Sequence, residues 1–247
     1  MKVLLTSGCS FAECYGWDDN HNPDNRTWPI WLREKYTDRT HYSEGFGGQG
    51  NNLIAQRTQY RIEQLLKTYQ PNDILVGIMW SGSDRWECYK TEDHDFPRVL
   101  GELHNPIKFI EPVPNITTGS WIMMHPQYIH EHNDLFYKKF YDPVWMQIMT
   151  LQSIIHTQRY LREKGIKYFM SQAFNTCLDR GRRNDANTSW LWDQIDFTTW
   201  LPVDSMKEWC DQNCPIPNVN NFHPRSEQCE QFVNQVVVPW LAEKNLF

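Results

Sequence analysis

The 247-residue chain contains no apolar run near the roughly 20 residues that a membrane-spanning helix needs. Its amino terminus, MKVLLTSGCSF, has too short an apolar stretch for a secretory leader, so a cytoplasmic protein without a membrane association is expected. Basic residues are in the minority, 24 Lys and Arg against 30 Asp and Glu, and only Arg180, Arg182 and Arg183 cluster. A chain of net charge −6 with scattered cations offers no footprint for duplex nucleic acid, and none is expected as a partner. Internal repeats and low-complexity tracts are missing as well. Seven cysteines, an odd number without regular spacing, make no disulfide framework and fit free thiols in a reducing compartment. In such a compartment the sequons at Asn25, Asn115 and Asn187 carry no meaning.

What is present is an ordinary globular composition, 40% hydrophobic and 22% charged, long enough for one large α/β domain spanning residues 1–247. Aromatic residues are dense, with 12 Trp, and such side chains either fill a core or line an apolar or sugar-binding cleft.

Val3-Leu4-Leu5 reads as a buried first strand that empties into a Ser/Gly/Cys turn. Thr27 to Lys35 reads as a short helix and His41 to Ser43 as a brief strand, followed by a loop holding Gly45, Gly47, Gly48 and Gly50. From Asn51 or Asn52, Leu53, Ile54, Ile62, Leu65 and Leu66 mark a helix with one apolar stripe and an Asn cap. Ile74 to Trp80 is continuously apolar, as a central parallel strand should be. Residues 86–137 show no sustained period and read as an irregular insertion. Helical period returns over 140–164, a strand follows over Ile166 to Met170, and a last helix runs from about Ser226 to Lys244. Alternating strands and helices imply a parallel sheet with helices on both faces and a ligand site at the carboxyl ends of its strands. That rule selects the loop after Leu5, the glycine loop near Gly48, and the loop after Trp80.

Ser10, in Gly8-Cys9-Ser10-Phe11, lies where a strand empties into a turn. A serine there is either a turn residue or a nucleophile, and a nucleophile needs a base to take its proton. His223, in Asn220-Asn221-Phe222-His223-Pro224 just ahead of the last helix, is the leading candidate for that base. Cys210, Cys214, His223 and Cys229 can also be written as a zinc set, but their spacing lacks the tight pairing of zinc motifs, and no metal or other cofactor is expected. Asp84, Arg85 and Glu87 form either a structural ion pair or an anion-binding cluster. Trp80, Trp86, Trp121 and Trp145 are either cleft walls or core.

Four short blocks, in order, resemble those of the SGNH (GDSL-type) hydrolase superfamily. Gly8-Cys9-Ser10-Phe11 resembles the Gly-Asp-Ser block, Gly48-Gln49-Gly50-Asn51 the second block, Ser81-Gly82-Ser83-Asp84 the Gly-x-Asn-Asp block, and Asn220 to Pro224 the Asp-x-x-His-Pro block. The resemblance implies a flavodoxin-like three-layer α/β/α sandwich and a serine esterase acting on a small-molecule or carbohydrate ester, with O-acetyl or other O-acyl groups as the expected target. It implies Ser10 as nucleophile, His223 as base and Asn220 as the residue orienting it. It further implies an oxyanion hole from the Ser10 and Gly48 N–H groups with Ser83, or else Ser81, as side-chain donor, and substrate contacts from Asn52, Asp84, Arg85 and Trp80. Three positions depart from the pattern: Cys9 stands for an acid, Ser83 for the asparagine whose amide completes the oxyanion hole, and Asn220 for the aspartate, a gap that Asp204 or Asp211 is able to fill. Two other readings share the fold, a catalytically impaired binding protein and an acyltransferase.

Overall fold

The computed structural model describes residues 2–13, 26–91, 119–124, 131–215 and 223–246. In chain order its elements are β1 (Val3–Gly8), a 3-10 turn (Ser10–Ala12), α1 (Trp28–Lys35), β2 (Thr40–Gly45), α2 (Asn51–Leu65) and β3 (Ile74–Trp80). There follow β4 (Trp86–Thr91), β5 (Gly119–Met124), α3 (Glu131–Lys139), α4 (Pro143–Glu163) and β6 (Lys167–Gln172). The last helices are α5 (Ser189–Trp192), α6 (Met206–Asn213), α7 (Ser226–Phe232) and α8 (Val238–Glu243).

β1, β2, β3 and β6 form one sheet in the order β2-β1-β3-β6, every pair parallel. Parallel neighbours require crossovers, and the helices of those crossovers cover both faces, so the fold is a flavodoxin-like α/β/α sandwich. The strand sequences show why two layers are needed. Val3, Leu5, Val76, Ile78, Tyr168 and Met170 point to one face and pack under α2 and α4 with Ile54, Ile62, Leu151 and Ile155. Leu4, Leu75, Met79 and Phe169 point to the other, against α1, α6, α7 and α8 through Trp28, Leu32, Met206, Phe232 and Trp240. Strands buried on both faces are apolar at successive positions rather than alternate ones, as the sequence of β3 shows. Gly77 interrupts that run for a packing reason: a Cβ there would stand 2.5 Å from the Phe169 ring.

Several expectations shift in detail. β1 continues past Leu5 to Gly8, because Thr6 and Ser7, polar as they are, pair in register with Ser43 and Glu44 on one side and Gly77 and Ile78 on the other. Gly50, not Asn51 or Asn52, is the N-cap of α2, and no side chain of its own caps it. The buried Glu87 carboxylate does so instead, accepting the N–H groups of Gly50 and Leu53. Within the stretch expected to be irregular, β4 and β5 pair antiparallel from Trp86 with Met124 to Thr91 with Gly119, a pairing across a sequence gap that no local period announces. The carboxyl-terminal helix is continuous from Ser226 but widens to a π turn at Val233–Val237, just ahead of Pro239, whose ring nitrogen has no N–H to give.

Candidate active site

The site is built where β1 leaves the sheet. Gly8 has φ +154°, and a Cβ there would lie 2.5 Å from the Met79 carbonyl and 2.8 Å from Ala12 Cβ, so glycine alone allows the chain to fold back into the Ser10–Ala12 turn. Ser10 is buried, and its Oγ lies 2.8 Å from Nε2 of His223, 213 residues further along the chain. The Phe11 ring packs against the imidazole with centroids 5.2 Å apart.

His223 owes its position to the start of α7. The Arg225 N–H donates to Gln228 Oε1 at 2.8 Å, closing the first turn, and Ser226 Oγ accepts from the Arg26 N–H at 3.3 Å and from Trp31 Nε1 at 3.2 Å. The segment carrying the imidazole is thereby pinned to α1. Burial, and secondarily the Arg85 guanidinium, lower the His223 pKa from its ordinary 6.5 to about 4. At neutral pH the ring is therefore uncharged. With the proton on Nδ1, Nε2 has a lone pair for the Ser10 hydroxyl.

The glycine loop is held against Gly8 by a buried polar lattice. Gln49, fully buried, donates through Nε2 to the Gly8 carbonyl at 2.6 Å and to the Glu44 carbonyl at 2.9 Å, and its Oε1 accepts from Arg57 Nη1 at 3.0 Å. Arg57 in turn donates twice to Glu44 Oε2, at 3.0 and 2.8 Å, while Arg61 Nε donates to Glu44 Oε1 at 2.6 Å. Gly48, buried and at φ +81°, turns the chain between these anchors. Asn51, the first residue of α2, joins the loop to the end of β3: its Oδ1 accepts from the Ser81 N–H, and its Nδ2 donates to the Ser81 carbonyl and to Thr150 Oγ1. Sequence reasoning missed Gln49, Asn51, Glu44 and Arg57 as site builders. The available signal was polar residues beside glycine and on an otherwise apolar helix face, where a burial penalty demands partners.

The third loop departs most from expectation. The Ser83 hydroxyl donates to the Thr176 carbonyl at 2.9 Å, so the proton expected for an oxyanion is committed elsewhere. Trp80 lines no cleft. It is fully buried in the core under α2 and α4, donating Nε1 to Met170 Sδ, because position 80 shares the face of Val76 and Ile78. Asn52 lies on α2 and accepts from Gln56 Nε2 on its own helix. Asp84 accepts at its carbonyl from the Tyr137 hydroxyl. Arg85 is buried, and its charge is felt by both His223 and Glu87. Asn220 lies outside the described residues. Of the acids nearby in sequence, Asp204 pairs with Arg180 and Asp211 with Lys207. Trp86 and Trp145 pack on each other at 4.8 Å beside Met124, Phe136 and Met146, a satellite cluster, while the side chain of Trp121 lies outside the described residues.

A cleft of about 650 Å³ opens on the same edge of the sheet, walled by Ser83, Asp84, Gln172, Arg180, Asp204 and Glu208 among others. Neither Ser10 nor His223 belongs to its wall, so the serine–imidazole geometry, not this cleft, marks the candidate site. Among the described residues no group of three or more His, Cys, Asp or Glu is placed to hold a metal ion. Cys9, Cys177, Cys210, Cys214 and Cys229 are buried free thiols. No helix among the described residues is long and apolar enough to cross a membrane.

Comparison with solved structures finds similarity to TesA, at 13% identity and TM-score 0.46, over 98% of this chain and 99% of the other. A member of the lipolytic protein G-D-S-L family from Veillonella parvula DSM 2008 is similar at 10% identity and TM-score 0.45, over 98% and 97%. AlinE4, an SGNH-hydrolase family esterase, is similar at 15% identity and TM-score 0.40, over 100% and 97%. No curated protein matches the sequence. The sequence model of a family of unknown function, DUF6071, matches residues 50–246, most of the chain including His223, and the protein belongs to that family.

Proposed function

We propose that the protein is a serine hydrolase of esters, with Ser10 as nucleophile and His223 as general base. The observation that carries this reading is the 2.8 Å contact between Ser10 Oγ and His223 Nε2 at the carboxyl edge of a parallel sheet, with the imidazole held uncharged. A neutral imidazole within hydrogen-bond reach of a buried serine hydroxyl is the arrangement a serine needs to become a nucleophile at pH 7.

In the proposed reaction Ser10 Oγ attacks the ester carbonyl carbon as its proton passes to Nε2. The tetrahedral intermediate expels the alcohol, which takes that proton from the imidazolium, and the acyl group stays on Ser10. Water then attacks the acyl-enzyme and gives a proton to Nε2, and as the second tetrahedral intermediate collapses the imidazolium returns that proton to Ser10 Oγ, which leaves as the carboxylic acid is released. The Ser10 and Gly48 N–H groups are the proposed backbone donors to the oxyanion, and an O-acylated carbohydrate is the proposed substrate class.

Incubation with a fluorophosphonate probe tests the reading directly. The wild type is expected to be labelled, Ser10→Ala not at all, and His223→Ala at a rate lower by ~10³ or more, since each removes a member of the reacting pair. A wild type that is neither labelled nor active on p-nitrophenyl acetate would leave the second reading, a ligand-binding protein of the same fold, which the engagement of the Ser83 hydroxyl with Thr176 favours.

A further inference from the structure

Arg85 is 6% exposed, and a guanidinium that deeply buried is costly to desolvate unless something answers its charge. Little does among the described residues. Its Nε is buried without a hydrogen-bond partner, and Nη1 makes one long contact, 3.5 Å, with the Gln49 carbonyl. The remaining compensation is the Phe174 ring, 5.6 Å from the guanidinium carbon, and the field of the buried Glu87.

The position of this underused cation is fixed from two sides. On one, its Nη1 contact is to Gln49, the neighbour of Gly48 and the residue whose side chain holds the Gly8 carbonyl. On the other, Phe174 beneath it packs edge-on against Phe11 at 4.7 Å, and Phe11 packs on His223. The guanidinium therefore lies beside the glycine loop, and near enough to the imidazole for its charge to act on His223. Ser83, the side-chain donor expected for the oxyanion, spends its proton on Thr176.

We infer that Arg85 is the side-chain donor of the oxyanion hole, meeting with a charged N–H the negative oxygen that forms when Ser10 adds to the ester carbonyl. This rests on the hydrolase reading above. The electron pair of the carbonyl moves onto its oxygen as the serine proton moves to His223, and Arg85 binds that oxygen without gaining or losing a proton, since a guanidinium stays charged throughout. A cation opposite a full negative charge favours the intermediate far more than the neutral ester. Its effect therefore belongs in kcat.

The test uses a neutral p-nitrophenyl ester, its counterpart bearing a carboxylate in the acyl chain, a boronic acid that mimics the tetrahedral adduct, and the fluorophosphonate probe. Arg85→Met is expected to lower kcat on the neutral ester by ~10²–10³ with KM within a few-fold, and to weaken the boronic acid by a similar factor. Arg85→Lys, which keeps the charge but loses the planar fork, is expected to fall between Met and wild type, and it carries the test should the Met variant not fold. Neutral-ester turnover left intact by both variants, with only the KM of the anionic ester raised, would make Arg85 an anchor for substrate charge and overturn the inference. Equal labelling rates in wild type and variants would overturn it alone, whereas an unlabelled wild type would overturn the hydrolase reading with it.

Discussion

The side chain of Asn51 pairs with the backbone of Ser81 along both edges, accepting its N–H at 2.8 Å and donating to its carbonyl at 3.1 Å. An amide side chain thus imitates a neighbouring strand at the point where β3 has run out of partners. It also reaches Thr150 on α4 at 3.2 Å, so one residue ties the glycine loop, the third loop and a helix together. Asn51→Ala leaves buried donors and acceptors unpaired and is expected to cost about 1–3 kcal/mol, read from the urea midpoint at unchanged slope. Asn51→Leu, of similar volume, should do no better, because the loss is polar.

If His223 is the base, kcat/KM follows its titration in the free enzyme. With the imidazole held near 4 by burial and then by Arg85, the acid limb of the profile is expected near pH 4 and the rate should be flat from there to neutrality. Arg85→Met should move the limb upward, though only part of the way to 6.5, since burial is the larger cause. A wild-type limb between pH 6 and 7 would remove the argument for an uncharged ring.

His41 is lowered in the same way, to about 4, by burial and by Arg33, and it meets Thr6 Oγ1 at 2.9 Å. Two histidines that titrate near 6.5 when unfolded and near 4 when folded give the unfolded chain the first claim on protons. Their contribution to stability is complete above pH 6.5 and declines as pH falls towards 4. Thermal midpoints measured across that window should fall, and His41→Gln should flatten part of the slope.

Glu87 predicts the opposite sign. Burial raises its pKa from 4.5 to about 7, so the folded state holds this proton more tightly than the unfolded chain does. The stability it contributes is full below pH 4.5 and is lost as pH rises through 7. Glu87→Gln preserves the oxygen that accepts from Gly50 and has no charge to bury. The difference in melting temperature, variant minus wild type, is therefore expected to grow from pH 4.5 and level off above 7. A difference that does not vary with pH would show that Glu87 is not titrating as described.

Gly77→Ala places a methyl 2.5 Å from the Phe169 ring in the layer between β3 and α8. Overpacking of this kind costs about 1–3 kcal/mol. Adding Phe169→Leu, which empties part of the same space, should recover some of the loss, and a double-mutant cycle on denaturation free energies would measure the coupling.

The order of elements was legible because its cause is local: a double-faced strand such as Ile74–Trp80 must be apolar throughout, and a surface helix such as Asn51–Leu65 must carry a stripe. Ser10 and His223 were legible one at a time, each from its place next to an element boundary. Their meeting is a property of sheet topology, and only the resemblance to a known family connected them in advance. The partner of the Ser83 hydroxyl was illegible for a different reason. A hydroxyl takes whichever acceptor is near, and the competing Thr176 carbonyl arrives from a loop 93 residues away. The capping of α2 by Glu87 was illegible in the same sense: the carboxylate comes from the next strand pair, while the local rule pointed to Asn51 or Asn52. Trp80 shows the converse, a large aromatic whose strand parity already placed it in the core.

The two members of the proposed reacting pair come from far apart in the sequence, one from the turn that follows the first strand and the other from the residues just ahead of α7. A ribosome-bound chain that has completed β6 still lacks the proposed base, and if Ser10 is the nucleophile its activity waits until Ser226 docks on Trp31. Recovery of turnover during refolding from urea should consequently lag the return of tryptophan burial in the central layers, which turns the onset of activity into a clock for the docking of the last helix.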